Sequence, residues 1–179
     1  MAALTTAQDV DRVANHYLIM PIQQAIHIKY PSAYISVGTE TKQDRSTQLS
    51  FNIHQDDESK KKTIMTIMFK RPGVIKPEEF EAAACEESEK AGCLEKLDAR
   101  KMETAITPSL NAFCLTKQAA AYAQQGVCDY VALCDYDNLV LLHFNDGLES
   151  ARITVVERKD FRKALLGFLI EACDTVGLT

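Results

Sequence analysis

An apolar segment at positions 64–69 constrains the fold of this chain more than any other feature. It is followed at once by Lys70, Arg71 and a Pro-Gly pair, which is a strong turn signal. A short apolar run bounded by turn residues is typical of a β-strand buried on both faces. Because side chains alternate along a strand, Lys70 would share a face with Thr66 and Met68. We therefore expect a central strand with a lysine at its carboxyl end, where open α/β sheets place ligands.

The other hydrophobic patterns predict helices at both ends of the chain and strands between them. Thr5 or Thr6 can cap an N-terminal helical segment over 5–29 whose apolar face includes Tyr17, and Pro21 would kink it or open a second stretch. Asp160 can cap a closing amphipathic helix over 160–176. Between them lies a core over 34–157, with predicted strands at 34–37, 49–53, 64–69, 130–134, 139–144 and 152–157, a helix from Pro77 to a stop at Gly92, and a short helix over 117–125 that ends at Gly126. This order implies one α/β domain over 1–179, a mixed sheet flanked by helices.

Composition narrows the class of protein. No apolar run approaches the roughly 18–20 residues that cross a membrane, and the amino terminus lacks the features of a secretory signal. The six cysteines form no C-x-x-C pair, which favours reduced thiols in an intracellular protein, cytoplasmic or nuclear. The formal charge of −5 weakens the case for nonspecific nucleic-acid binding. Phosphate-binding glycine motifs are absent, so no nucleotide cofactor is expected.

Two motifs suggest a family. The strand ends in Met68-Phe69-Lys70, and Gln118 and Tyr122 stand four residues apart in a predicted helix, so both can face the same side. With the element order, these residues resemble the PD-(D/E)xK nuclease superfamily, in particular RecB-type members and a group of fungal proteins with that core. The resemblance spans about 38–144. It implies a restriction-endonuclease-like three-layer core, with Lys70, Gln118 and Tyr122 as the catalytic set.

The resemblance also exposes a mismatch. Family members hold Mg²⁺ with an Asp at the end of one strand and the Glu of Glu-x-Lys on the next. Here the Asp place falls at Ser46-Thr47 and the Glu place is Met68, whose thioether is a poor ligand for Mg²⁺. Glu40 and Asp44 lie upstream and are the substitute metal ligands to consider, although both also suit a solvated loop.

Other polar residues have simpler interpretations. Asp135 and Asp137 flank a tight turn, where aspartate is expected for turn geometry, with a metal role as the alternative. The four histidines, including His143 on an apolar strand, show no ligand spacing.

Three functions remain open. The favoured one is a catalytically degenerate nuclease-like domain that binds a protein or nucleic-acid partner, without a cofactor. The second is an active Mg²⁺-dependent nuclease that uses Glu40 or Asp44. The third is a purely structural or interaction domain whose cleft has no role.

Overall fold

The computed structural model describes residues 4–41, 47–54, 61–83, 110–144 and 151–178, with the side chains at 40, 41, 82, 83 and 110 left out. The described helices are α1 (Ala7–Ala14), α2 (Met20–Lys29), α3 (Pro77–Ala83), α4 (Leu110–Gly126) and α5 (Phe161–Thr175), with a π-helical turn at Asn15–Ile19 and a 3-10 turn at Arg158–Asp160. The strands are β1 (Ile35–Thr41), β2 (Thr47–His54), β3 (Lys61–Phe69), β4 (Tyr130–Cys134), β5 (Leu139–His143) and β6 (Arg152–Val156).

The six strands form one mixed sheet in the order β1-β2-β3-β4-β5-β6. Neighbours are antiparallel except β3 and β4, which run parallel with Phe69 opposite Cys134. A parallel pair needs a long crossover connection, and the chain between β3 and β4 contains α3 and α4. The predicted mixed sheet flanked by helices is confirmed, and β3 lies inside it, as its buried sequence indicated.

Helices pack on both faces of the sheet and bury two apolar clusters. The first core lies under α1, α2 and α5 and contains Met65, Ile67 and Phe69 of β3. The second core lies under α3 and α4 and contains Met68. The alternation predicted for β3 is therefore observed. It leaves Met68 on the face covered by α4, and Lys70, two residues further on, follows on that side.

The N-terminal helical segment begins as predicted and then departs from regular α-helix. Thr6 caps α1 in a capping box with Asp9. Pro21 has no N–H to offer the carbonyl of Tyr17 four residues before it, and the Arg162 Nε–H of α5 donates to that carbonyl at 2.7 Å. The π-helical turn before Pro21 shifts the helical faces, so Tyr17 is 61 % exposed. Its predicted place on the buried face is wrong.

Several predicted boundaries were too short. The strand predicted at 34–37 starts at Ile35 and continues through Gly38 to Thr41, because β2 pairs with that whole stretch. The helix predicted at 117–125 begins at Leu110. Asp160 precedes α5, but its side chain makes no cap hydrogen bond. The predicted helix stop at Gly92 lies outside the described residues.

Candidate functional site at the carboxyl end of β3

The parallel pairing of β3 and β4 brings their carboxyl ends together. Immediately after β3, the backbone N–H of Lys70 donates to the carbonyl of Cys134 at 2.8 Å and extends the ladder by one residue. The main chain at Lys70 is thereby held to the last residue of β4. The lysine predicted to end a central strand is at that position.

Lys70 and Gln118 meet across the gap between sheet and helix. The Lys70 ammonium donates to the Gln118 side-chain carbonyl oxygen at 2.8 Å. The inner face of α4 carries Ala119 and Ala123, both buried, and their small side chains let the helix lie close to the sheet. Tyr122 follows Gln118 by one turn, and its half-buried ring packs against the second core. Two of the three residues predicted as a set are in direct contact, although their side chains are 48 positions apart in the sequence.

Met68 occupies the place where the resemblance expects a metal-binding acid. It is 2 % exposed and is part of the second core with Leu133 of β4 and Ala119 of α4. A carboxylate at this position would be surrounded by apolar side chains. The structure therefore adds a packing role for Met68 to the chemical mismatch seen in the sequence.

Gln48 of β2 lies directly opposite Met68 and was not singled out from the sequence. Its amide nitrogen donates to Ser50 Oγ at 3.3 Å, and its carbonyl oxygen is buried without a hydrogen-bond partner. Four residues after Gln48, the Asn52 side-chain oxygen accepts from Thr63 Oγ1 at 2.9 Å. This polar row shares the face of Met68. The alternation of β2 contained the signal, since Gln48 is in phase with Ser50 and Asn52.

Thr47 does not belong to this site. It lies opposite Phe69, whose side chain is in the first core, so its hydroxyl is on the other face of the sheet from Met68. Thr47 is 2 % exposed, and its Oγ1 has no hydrogen-bond partner. The register therefore turns the Thr47 hydroxyl away from the face on which Met68 lies.

The two proposed substitute acids are at the limit of what the structure describes. The backbone of Glu40 is in β1, opposite Gln48, and thus in the same row of the sheet as Met68. Its side chain is outside the described part, as is all of Asp44. Glu40 was predicted in a polar connection; its backbone is instead part of a strand.

Asp135 links the site to the turn between β4 and β5. This fully buried carboxylate accepts from the backbone N–H of Ile75 at 2.8 Å and of Asn138 at 2.9 Å. The Asn138 amide in turn donates to the Ile75 carbonyl at 3.0 Å. These bonds fasten the segment that follows Lys70 to the end of β4. The predicted turn role of Asp135 is supported by its bond to Asn138, whereas its bond to the distant Ile75 was not predicted.

Other polar groups of the described sheet, at either end of it, offer little catalytic chemistry. Ser36 Oγ lies 2.7 Å from His54 Nε2, but His54 Nδ1 is buried without a partner. With Nδ1 unpartnered, no third group orients the ring as the base of a nucleophile would be oriented. Burial raises the pKa of the Cys134 thiol to about 12, which keeps it protonated and unreactive.

Potential metal ligands are not clustered among the described residues. Within the described ranges, no three His, Cys, Asp or Glu side chains are grouped as metal ligands would be. Asp135, the acid nearest the end of β4 in the sequence, already accepts two backbone hydrogen bonds. Around Lys70 the described side chains are an ammonium, amides and a buried thioether, and none of them is the anionic oxygen ligand that a hard cation prefers.

Comparison with protein-family profiles, with curated proteins and with solved structures finds no match to this chain. In the described part of the chain, no helix has the length and apolar character needed to cross a bilayer.

Proposed function

We propose that this chain is a catalytically degenerate PD-(D/E)xK nuclease-like domain that works as a binding module. One observation carries the proposal: Lys70 contacts Gln118 at 2.8 Å, next to a buried methionine in the place of the family's acid. The family's lysine and helical glutamine are thus kept in register, whereas its metal chemistry is not supported. The order of elements, with three antiparallel strands followed by helices and a parallel strand, supports the same assignment.

The local charge indicates what the site would bind. Lys70 is followed by exposed Arg71, and α4 carries Lys117 on its outer surface with no acid between 111 and 126. This contrasts with the formal charge of −5 for the whole chain. A lysine ammonium has three N–H groups, so one that donates to an amide oxygen can also donate to an anionic oxygen. An anionic surface, either a nucleic-acid backbone or an acidic protein segment, is the partner that fits.

Nucleic-acid binding is tested by fluorescence anisotropy with labelled 20-nucleotide DNA and RNA, single- and double-stranded, over a salt series. We expect binding that weakens with salt, and a Lys70→Ala/Arg71→Ala variant whose log K against log salt slope is smaller by about 2. The matched control is Lys61→Ala/Lys62→Ala, which removes two exposed positive charges from the other end of β3 and should leave the slope unchanged. Equal, weak binding by all three proteins would exclude nucleic acid at this site and leave an acidic protein as the partner.

A second candidate, an active Mg²⁺-dependent nuclease, is favoured by the position of Glu40. Its Cα is in the row of Met68 two strands away, which corresponds to about 10 Å at the usual strand spacing of ~4.8 Å. Titration of Mg²⁺ or Mn²⁺ against a labelled duplex or single strand distinguishes the two functions. Metal-dependent cleavage that disappears in both Lys70→Ala and Glu40→Gln would establish the nuclease and refute the degenerate site. Asp44→Asn tests the other candidate acid in the same assay.

A further inference from the structure

A groove separates α5 from the edge strand β6 on the first-core face of the sheet. Helix α5 packs against β3, β4 and β5, and the groove lies between this helix and β6. The groove has a volume of about 450 Å³, and its apolar floor includes Leu141 and Phe168. At one end Arg152 of β6 donates to Glu171 of α5 at 2.5 Å and closes it. This volume is within the range of ligand sites, roughly 300–1,000 Å³.

The outer edge of β6 has backbone groups that no described strand uses. Two backbone hydrogen bonds mark the ends of the β4–β5 ladder. The N–H of Phe144 donates to the carbonyl of Asp129, and the N–H of Asp135 donates to the carbonyl of Asn138. In an antiparallel ladder, residue pairs that exchange hydrogen bonds alternate with pairs that do not. The β5 residues that do not bond to β4 are therefore 139, 141 and 143, and their N–H and C=O groups face β6.

By the register, these residues bond to 156, 154 and 152. The N–H and C=O groups of Ile153 and Val155 therefore point outward, away from the sheet. Among the described residues, β6 pairs with β5 alone. An extended chain laid along this edge would find four backbone groups ready to pair.

Gly167 keeps the wall of the groove low. It lies in the middle of α5, where glycine costs about 1 kcal/mol relative to alanine. No atom lies within 4 Å of the Cβ that another residue would have there, so no neighbour requires a glycine. What the missing side chain provides is access, since a ligand can approach the helix backbone at this point.

The charges along the groove balance. Two cations, Arg152 and Lys163, stand with two anions, Asp160 and Glu171, so the lining has no net charge. A lining without net charge offers no electrostatic attraction to a polyanion such as nucleic acid. An extended peptide of low net charge with an apolar side chain fits the apolar floor and the charge-balanced sides of the groove. The charge balance of the lining, the outward backbone groups of β6 and the apolar groove therefore all fit an extended peptide.

We propose that β6 accepts an extended peptide of low net charge as a seventh strand, with an apolar side chain in the groove beside Gly167. Backbone pairing with Ile153 and Val155 supplies affinity, and the alternate side chains that enter the groove supply selectivity. This site is on the opposite face from Lys70 and does not depend on the function proposed there.

The probe is a random nine-residue peptide library displayed on phage and selected against the whole chain. We expect enriched peptides with alternating apolar residues and little charge, whose affinity changes little between 50 and 300 mM salt. Gly167→Leu should fill the groove and lower affinity at least tenfold without loss of stability, because leucine is a better helix former. Gly167→Ala, the matched control, should stay within threefold of the wild type.

A second pair of variants tests the strand edge. Val155→Pro removes an outward N–H and should lower affinity at least tenfold while β5–β6 pairing persists; Val155→Ala removes a similar side chain, keeps the N–H and should bind normally. Thr154→Pro, which breaks a bond to β5, should instead destabilise the fold.

Three results would overturn the proposal. One is a library that yields no enriched peptide, and another is a set of peptides that bind Gly167→Leu and Val155→Pro as well as wild type. The third is self-association, measured by sedimentation, that Val155→Pro abolishes, since it would make a second copy of the chain the occupant.

Discussion

Val127 occupies a backbone position that normally belongs to glycine, and replacing it should stabilise the protein. Its φ is +48°, in the left-handed region, directly after α4. The N–H of Cys128 bonds to the Ala123 carbonyl at 3.0 Å, and that of Val127 lies 3.4 Å from the Gln124 carbonyl. These are the two bonds of a Schellman motif, with Val127 as its left-handed residue. The sequence pointed to Gly126 as the helix end, but the strained conformation lies one residue later.

The size of the effect follows from three contributions. A side chain in the left-handed region costs about 1–2 kcal/mol, and a β-branched one is at the upper end. Glycine is more flexible in the unfolded chain, which returns about 0.4–1 kcal/mol. Val127 is 79 % exposed, so its removal loses little burial. Val127→Gly should therefore raise the free energy of unfolding by about 1 kcal/mol, or the melting temperature by about 2–4 °C.

The assay is urea unfolding followed by circular dichroism, since the chain has no tryptophan. Helix α5 ends in the same motif with glycine in place, because Gly177 has a φ of +82° and the N–H of Leu178 bonds to the Cys173 carbonyl. Gly177→Val should therefore lose about 1–2 kcal/mol. Gly126→Ala separates the two possible helix ends: its added Cβ meets only ordinary contacts, at 3.7 Å or more, and should be tolerated. A Gly126→Ala variant that is clearly less stable than the wild type, or a Val127→Gly variant with no gain in stability, would refute the reasoning.

Three further predictions concern buried groups. Thr47→Val should raise the free energy of unfolding in urea by about 1 kcal/mol, because it removes a buried hydroxyl without a partner. Thr63→Val should instead lower it by about 1 kcal/mol, because it breaks the hydrogen bond to Asn52. Equal effects of the two substitutions would contradict the assigned hydrogen bonds. Met68→Glu, which introduces the acid that the family resemblance expects, should lower the free energy of unfolding by about 3 kcal/mol or more, because it buries a carboxylate among apolar side chains. The control Met68→Leu should lower it by less than about 1.5 kcal/mol. A stable glutamate variant with Mg²⁺-dependent cleavage would show that the second core tolerates a metal site. Burial, and after it the charge of Arg152, lowers the pKa of His143, so the unfolded chain binds this proton before the folded chain does and stability should fall as the pH drops through about 6.5. The loss of stability between about pH 7.5 and 5 should be smaller in His143→Phe, which keeps an aromatic ring against Tyr130. An unchanged pH dependence in this variant would exclude the contribution of His143.

Short-range pattern was sufficient for the elements that are buried on one or both faces. The strands at 64–69 and 130–134 and the apolar face of α5 were predicted closely, because burial imposes a period of two or 3.6 that neighbouring residues carry themselves. Lys70 at the end of β3 followed from the same alternation. The contact with Gln118 was suggested by resemblance alone.

Pairing and packing decided the rest. The extension of β1 through Gly38, the opposite faces of Thr47 and Gln48, and the bonds of Asp135 to Ile75 all depend on register between distant segments. The α5–β6 groove exists because the closing helix packs chiefly against β3, β4 and β5. The sequence by itself determined which residues of the buried strands and of α5 share a face, and which lysine ends the central strand. Only the tertiary structure decided what meets each face, because hydrogen-bond register and helix placement are set by contacts between residues far apart in the chain.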